Sequence, residues 1–139
     1  MANDTTSRGQ ARAHAGQSLT ELPIALVLFL VLAFGIVDAG RLIYAYNAVS
    51  LSAREGVRWA AVRGGASGHA ASKAEIQDFV QSKTVGVPVT VDVSWLNDNN
   101  QPGSTVVVTV TNAFAPIAPL PLVPKTINLA SKSQMVISR

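Results

Sequence analysis

Few residues in this chain are placed to do chemistry, and Glu21 is the most conspicuous of them. It closes Gly16-Gln17-Ser18-Leu19-Thr20-Glu21 and is followed at once by the apolar run Leu22 to Val37. A lone carboxylate thus stands at the mouth of a segment apolar enough to enter a bilayer, where a charge is costly alone and strongly held when paired. The plainest role is a helix cap. Ser18-Leu19-Thr20-Glu21 fits the capping box, in which serine accepts from the amide three residues on and glutamate reaches back. The charge also suits the positive end of a helix dipole. Other candidates are poorer. His14 and His69 have no ligand spacing to a partner, and the chain has no cysteine, so neither a metal site nor thiol chemistry is expected. Asp92 and Asp98 fall on a strand face and in a turn, where solvated aspartates sit. Gly64-Gly65-Ala66-Ser67-Gly68 lacks the lysine and strand context of a phosphate loop. The expectation is a protein with no catalytic residues, no cofactor and no small-molecule substrate, and not an enzyme.

The elements that must position Glu21 begin with the apolar run. Leu22 to Val37 is slightly shorter than the about 20 residues that span a bilayer core; Leu19 to Ala39 reaches that length if Glu21 and Asp38 lie near the two interfaces or meet partners. Helical spacing continues from Arg41 to Arg63, with Leu42, Tyr46, Val49, Ala53, Val57 and Ala60 as a packing stripe. Small residues such as Ala45, Ala48, Ser52, Gly56 and Ala61 suit close approach, either to another helix or to the chain's own sheet. Gly64-Gly65 ends the helix.

Beyond it, Ser72-Lys73-Ala74-Glu75 is a second capping box, opening a short helix with Ile76, Phe79 and Val80 on one face and an end near Lys83. Val87, Val89, Val91, Val93 and Trp95 alternate with Pro88, Thr90, Asp92 and Ser94, and Val106, Val108 and Val110 with an outer face of Val107, Thr109 and Thr111, with the turn-rich Asn97 to Gly103 between them. These two runs form an antiparallel hairpin. Ile127 to Ile137 reads as a third strand, reached through a connector with Pro116, Pro119, Pro121 and Pro124 that is too proline-rich to pair inside a sheet. The fold class is α+β: a long N-terminal transmembrane helix packed on a small antiparallel sheet of about three strands, with one short extra helix.

Composition agrees. The 139 residues have room for one small domain and an anchor, and only 14% are charged, low for a wholly soluble protein. The net charge of +3 is spread over scattered lysines and arginines with no basic stripe interleaved with aromatics, so nucleic acid is not an expected partner.

Two stretches resemble a known family. The polar leader with Arg8 and Arg12, then Gly16, Glu21 and a greasy helix, resembles the processing site of type IV prepilins. Phe34 to Val49, with Gly40-Arg41 and Ala45-Tyr46-Asn47-Ala48-Val49-Ser50, leads into Ala53-Arg54-Glu55-Gly56-Val57-Arg58 and is similar to the TadE-like family, minor pilins or pseudopilins of the tight-adherence (Tad/Flp) type IVb pilus. The resemblance is close over about residues 9–63 and weaker over Val106 to Pro119 and Ile127 to Ile137.

That resemblance implies a pilin-like architecture divided into a leader, 1–16, a long helix, 17–63, with its membrane-spanning part about 19–39, and an extracytoplasmic α+β domain, 64–139. It implies cleavage by a prepilin peptidase after Gly16, leaving Gln17 as the new N-terminus. Glu21 would then pair with the freed amino group of a neighbouring subunit and set its register. The implied partners are the prepilin peptidase, other pilin and pseudopilin subunits and inner-membrane lipid. The implied location is the bacterial inner membrane, single-pass, with the leader cytoplasmic and the C-terminal domain periplasmic or extracellular.

Two alternatives stand beside it: an unprocessed membrane-anchored periplasmic component of the Tad secretion apparatus, and a secreted binding module released by signal peptidase at Ala33-Phe34-Gly35. Against release, apolar helical spacing runs on past Gly35. Charge gives little help with orientation: Arg8 and Arg12 precede the span, whereas Arg41, Arg54 and Arg58 follow it, a weak bias opposite to that implied by the prepilin resemblance.

Overall fold

A computed structural model of the chain describes residues 6–118 and 124–138, with side chains described from Glu21 onward. Its elements are α1 (Thr6–Ala61), α2 (Lys73–Lys83), β1 (Thr90–Trp95), β2 (Thr105–Phe114) and β3 (Ile127–Val136). The three strands form one antiparallel sheet in the order β1-β2-β3, so the fold is α+β, as the pattern of the sequence predicts.

The N-terminal end of α1 differs from expectation. The capping box at Ser18 predicts a helix start there, but the backbone is already helical at Thr6, the first described residue, and runs unbroken through Gly16, Gln17 and Ser18. Ser18 is therefore an interior helix residue in the uncut chain. The physical reason lies in residues such as Gln10, Ala11, Arg12, Ala13 and Ala15, good helix formers that extend a helix already nucleated downstream. Pro23 lies inside α1 without ending it, and its missing N–H leaves the Leu19 carbonyl without that donor.

At the other end the last carbonyls find partners from distant parts of the chain. Ala61 O accepts from Ser138 N–H at 3.0 Å, and Arg63 O accepts from Ala71 N–H at 2.8 Å. Gly65 is pressed against the β1–β2 loop: its N–H donates to Asn100 O, and a Cβ there would lie 2.8 Å from that oxygen.

Register places Val91 opposite Val110, Val93 opposite Val108, and Val108 opposite Ser133. Alternation sends Val91, Val93, Val106, Val108 and Val110 to the face covered by both helices, where they meet Val49, Ala53, Val57, Ile76 and Val80. A smaller cluster of Ala45, Val87 and Phe114 lies nearer the apolar half of α1, with Leu42, Ala48, Ile127 and Leu129 packed against it.

Two residues depart from the expected pattern. Tyr46 points outward, and the buried seam instead runs through Ala45, Val49, Ser52, Ala53, Gly56, Val57 and Ala60. Ala45 takes the inward position, packed with Val87 and Phe114. Val107, expected on the solvated face, is buried, because it lies on the central strand between Ser94 of β1 and Gln134 of β3.

Candidate functional site

Gly16, Gln17 and Glu21 lie on one continuous stretch of α1. Gly16 and Gln17 precede the residues whose side chains are described; Glu21 is exposed. After it the large apolar side chains from Leu22 to Val37 are uncovered by the rest of the chain, Leu22 at 70% and Ile36 at 74% exposure. A helix of this length and composition fits a single-pass membrane anchor.

At the far end of the apolar run Asp38 is held by three donors. Its Oδ1 accepts from the Arg41 guanidinium at 2.8 Å, and its carboxylate accepts from Ile117 N–H at 2.9 Å and from Ala118 N–H at 3.0 Å. Only 12% of its side-chain surface remains accessible. The Arg41 guanidinium also lies 5.2 Å from the centre of the Phe114 ring. One carboxylate thus ties together the end of the apolar helix and the chain leaving β2. The Asp38–Arg41 half of this clamp is visible as an i,i+3 pair in the sequence. The amide half is not, because its donors arrive from the other end of the chain.

Just beyond the clamp, Tyr44 Oη donates to Val85 O at 3.0 Å, fixing the α2–β1 connection to α1. A cavity of about 260 Å³ opens there, lined by Arg41, Tyr44, Val87, Asn112 and Phe114 among others. Asn112 Nδ2 donates to Pro88 O at 2.6 Å.

The rest of α1 binds its own domain. Gly56 lets α2 approach: a Cβ there would lie 2.4 Å from Val80 Cγ2. The small residues of the stripe are thus used within the chain. Trp59 stacks on Phe79 at 5.1 Å, with Arg63 lying 4.3 Å from the Trp59 ring.

The remaining polar candidates are scattered. Asp92 is exposed on the outer face of β1, and Asp98 is exposed in the following turn at φ 49°. His69 Nε2 lies 3.3 Å from Glu75 Oε1. Among the described residues no group of three or more His, Asp or Glu is placed to hold a metal ion.

Comparison with known proteins gives one result. No curated protein and no solved structure matches the chain. Residues 16–58 match the family model described as TadE-like protein. The match is narrower than the resemblance over residues 9–63, and the strands lie outside it. It opens at Gly16 and covers the apolar run, the clamp residues Asp38 and Arg41, and the helical stripe as far as Arg58. Over this stretch of α1, less than half of the chain, the protein is similar to TadE-like proteins.

Proposed function

We propose that this chain is a minor pilin or pseudopilin of a Tad/Flp pilus, cut after Gly16 by a prepilin peptidase and kept in the inner membrane by α1. The observation that carries the reading is the TadE-like match opening at Gly16, on a helix whose apolar half has no cover in its own chain. The α+β domain then stands outside the cytoplasm, and the partners are other pilin and pseudopilin subunits. Cleavage requires local unwinding, since the bond after Gly16 lies within the helical backbone. Glycine lowers that cost, being about 1 kcal/mol less favourable than alanine inside a helix. Cutting there makes Ser18 a first-turn residue, so the capping box with Glu21 becomes available only in the processed chain.

The new amino group of Gln17 and the Glu21 carboxylate are complementary charges about 6 Å apart along the helix axis. Paired between neighbouring subunits in a low dielectric, they set the register of assembly. The mass of the chain recovered from its own membranes tests processing: a start at Gln17 is expected, and Gly16→Val should leave the full-length precursor. A normal mature product from that variant would remove the reading. Glu21→Gln separates capping from pairing, because glutamine preserves the cap. Intact cleavage with reduced piliation is expected. Unchanged piliation would show that capping suffices.

The second reading is an unprocessed, membrane-anchored component of the same apparatus. The unbroken helix through Gly16 favours it, and an intact N-terminus in the same mass measurement would establish it.

A further inference from the structure

The Asp38 clamp fixes the depth of a second stretch of chain. From Glu21 to Asp38 the helix rises about 26 Å, against a hydrocarbon core of about 30 Å. A span this short draws the lipid border toward its ends, so Asp38 stands at that border. The residues that follow on α1 suit the headgroup layer: Arg41 about 4 Å further along the axis and Tyr44 about 9 Å further. Ile117 and Ala118 donate their amides to Asp38 and share its depth, and the Ile117 side chain is 56% exposed.

We propose that Ile117 and Ala118 lie in the bilayer interface beside α1, as a second membrane contact that seats the α+β domain on the lipid surface. The contact rests on reading α1 as a membrane anchor and extends that apolar surface sideways. Its occupant is lipid. The clamp supplies both requirements of such a contact: it satisfies two backbone donors that would otherwise enter a poorly hydrated layer, and it neutralises Asp38 with Arg41.

The chain has no cysteine, so a single introduced thiol reports one position. Ile117→Cys, Leu28→Cys and Val136→Cys would each be labelled with an environment-sensitive nitrobenzoxadiazole in the full-length chain. Each would be reconstituted into phosphatidylethanolamine/phosphatidylglycerol vesicles containing lipid brominated high on the acyl chain. All three positions are exposed, Val136 lying at the end of β3 remote from the clamp, and Trp59 and Trp95 fluorescence checks the fold. Blue-shifted, bromine-quenched emission is expected at Leu28 and Ile117 and not at Val136. Adding Asp38→Ala should return the Ile117 label to red, unquenched emission while Leu28 stays quenched. An Ile117 label as red as that at Val136, with Leu28 quenched, would overturn the contact. A blue-shifted but unquenched Ile117 label would also overturn it, showing protein cover instead of lipid. Persistent quenching after Asp38→Ala would remove the clamp from the account. An unquenched Leu28 would remove the anchor itself, and the contact with it.

Discussion

The two halves of α1 are one helix with opposite surroundings. From Glu21 to Gly40 apolar side chains project around the whole circumference and stay uncovered, Phe29 at 64% and Ile36 at 74% exposure. From Ala45 to Ala61 a single face is buried, and it is built mainly of small residues with Val49 and Val57 among them, Ala53 being fully inaccessible. A helix apolar all round requires an apolar solvent or other subunits. A helix with a seam of Ala, Ser and Gly carries its partner with it, because small side chains let the backbone settle onto a sheet. The change of surroundings falls at Asp38 and Arg41, the first charged pair after the apolar run.

Glycine provides the harshest test of that contrast. Gly40 and Gly56 are both helical, yet a Cβ at Gly40 meets nothing within 4 Å, whereas one at Gly56 lies 2.4 Å from Val80 Cγ2. Gly56→Leu should destabilise the domain by about 3 kcal/mol through overpacking against α2. Gly40→Leu should leave its stability within about 0.5 kcal/mol. Urea unfolding in detergent micelles, followed by Trp59 and Trp95 fluorescence, would measure both. Equal effects would mean that α2 does not depend on this close approach.

Large apolar residues sharpen the same contrast. Ile76 is fully buried between α1 and the sheet, so Ile76→Ala should cost about 3 kcal/mol of domain stability. Leu28→Ala removes comparable apolar surface from a side chain that is 59% exposed. It should leave the domain's urea midpoint unchanged and act only on membrane retention, measured by alkaline extraction of vesicles. A shifted midpoint for Leu28→Ala would show that the two halves are energetically coupled.

Legibility followed how local each determinant is. Ser72 and Glu75 lie three apart and make the predicted box, with Ser72 N–H donating to Glu75 Oε2 at 2.8 Å. The valines of β1, and Val106, Val108 and Val110 of β2, face the helices as read. Tyr46 lies outside the core because the buried seam passes through Ala45, one residue earlier, which packs with Val87 and Phe114. Burial of Val107 depends on having strands on both sides, which a single strand's pattern does not encode. At the candidate site, the Gly16-to-Glu21 spacing and the apolar run were legible, as was Asp38 as a carboxylate in need of partners. That Ile117 and Ala118 are those partners depends on the return of the chain after β2, and no local spacing reveals it. The helix ahead of Ser18 was hidden for another reason: alanine-rich sequence there extends α1 past a serviceable cap.

The smallest expected effect concerns the cap that holds α2 against the buried half of α1. Glu75 accepts from Ser72 N–H and from Ser72 Oγ, with His69 beside it, and the backbone donor contributes most to holding its carboxyl below the ordinary value near 4.5. A folded-state value below the unfolded one means that the ionised group stabilises the fold. That contribution is complete above the unfolded value and is lost as pH falls through the lowered one. The wild-type urea midpoint should therefore decline as pH drops below about 4.5, and more steeply than that of Glu75→Gln. Glutamine keeps the hydrogen bond back to Ser72 N–H but does not titrate. The variant should thus begin slightly lower near neutral pH, and the two midpoints should converge in acid. Parallel decline of both proteins would place the acid sensitivity elsewhere and leave Glu75 a cap whose charge does not matter.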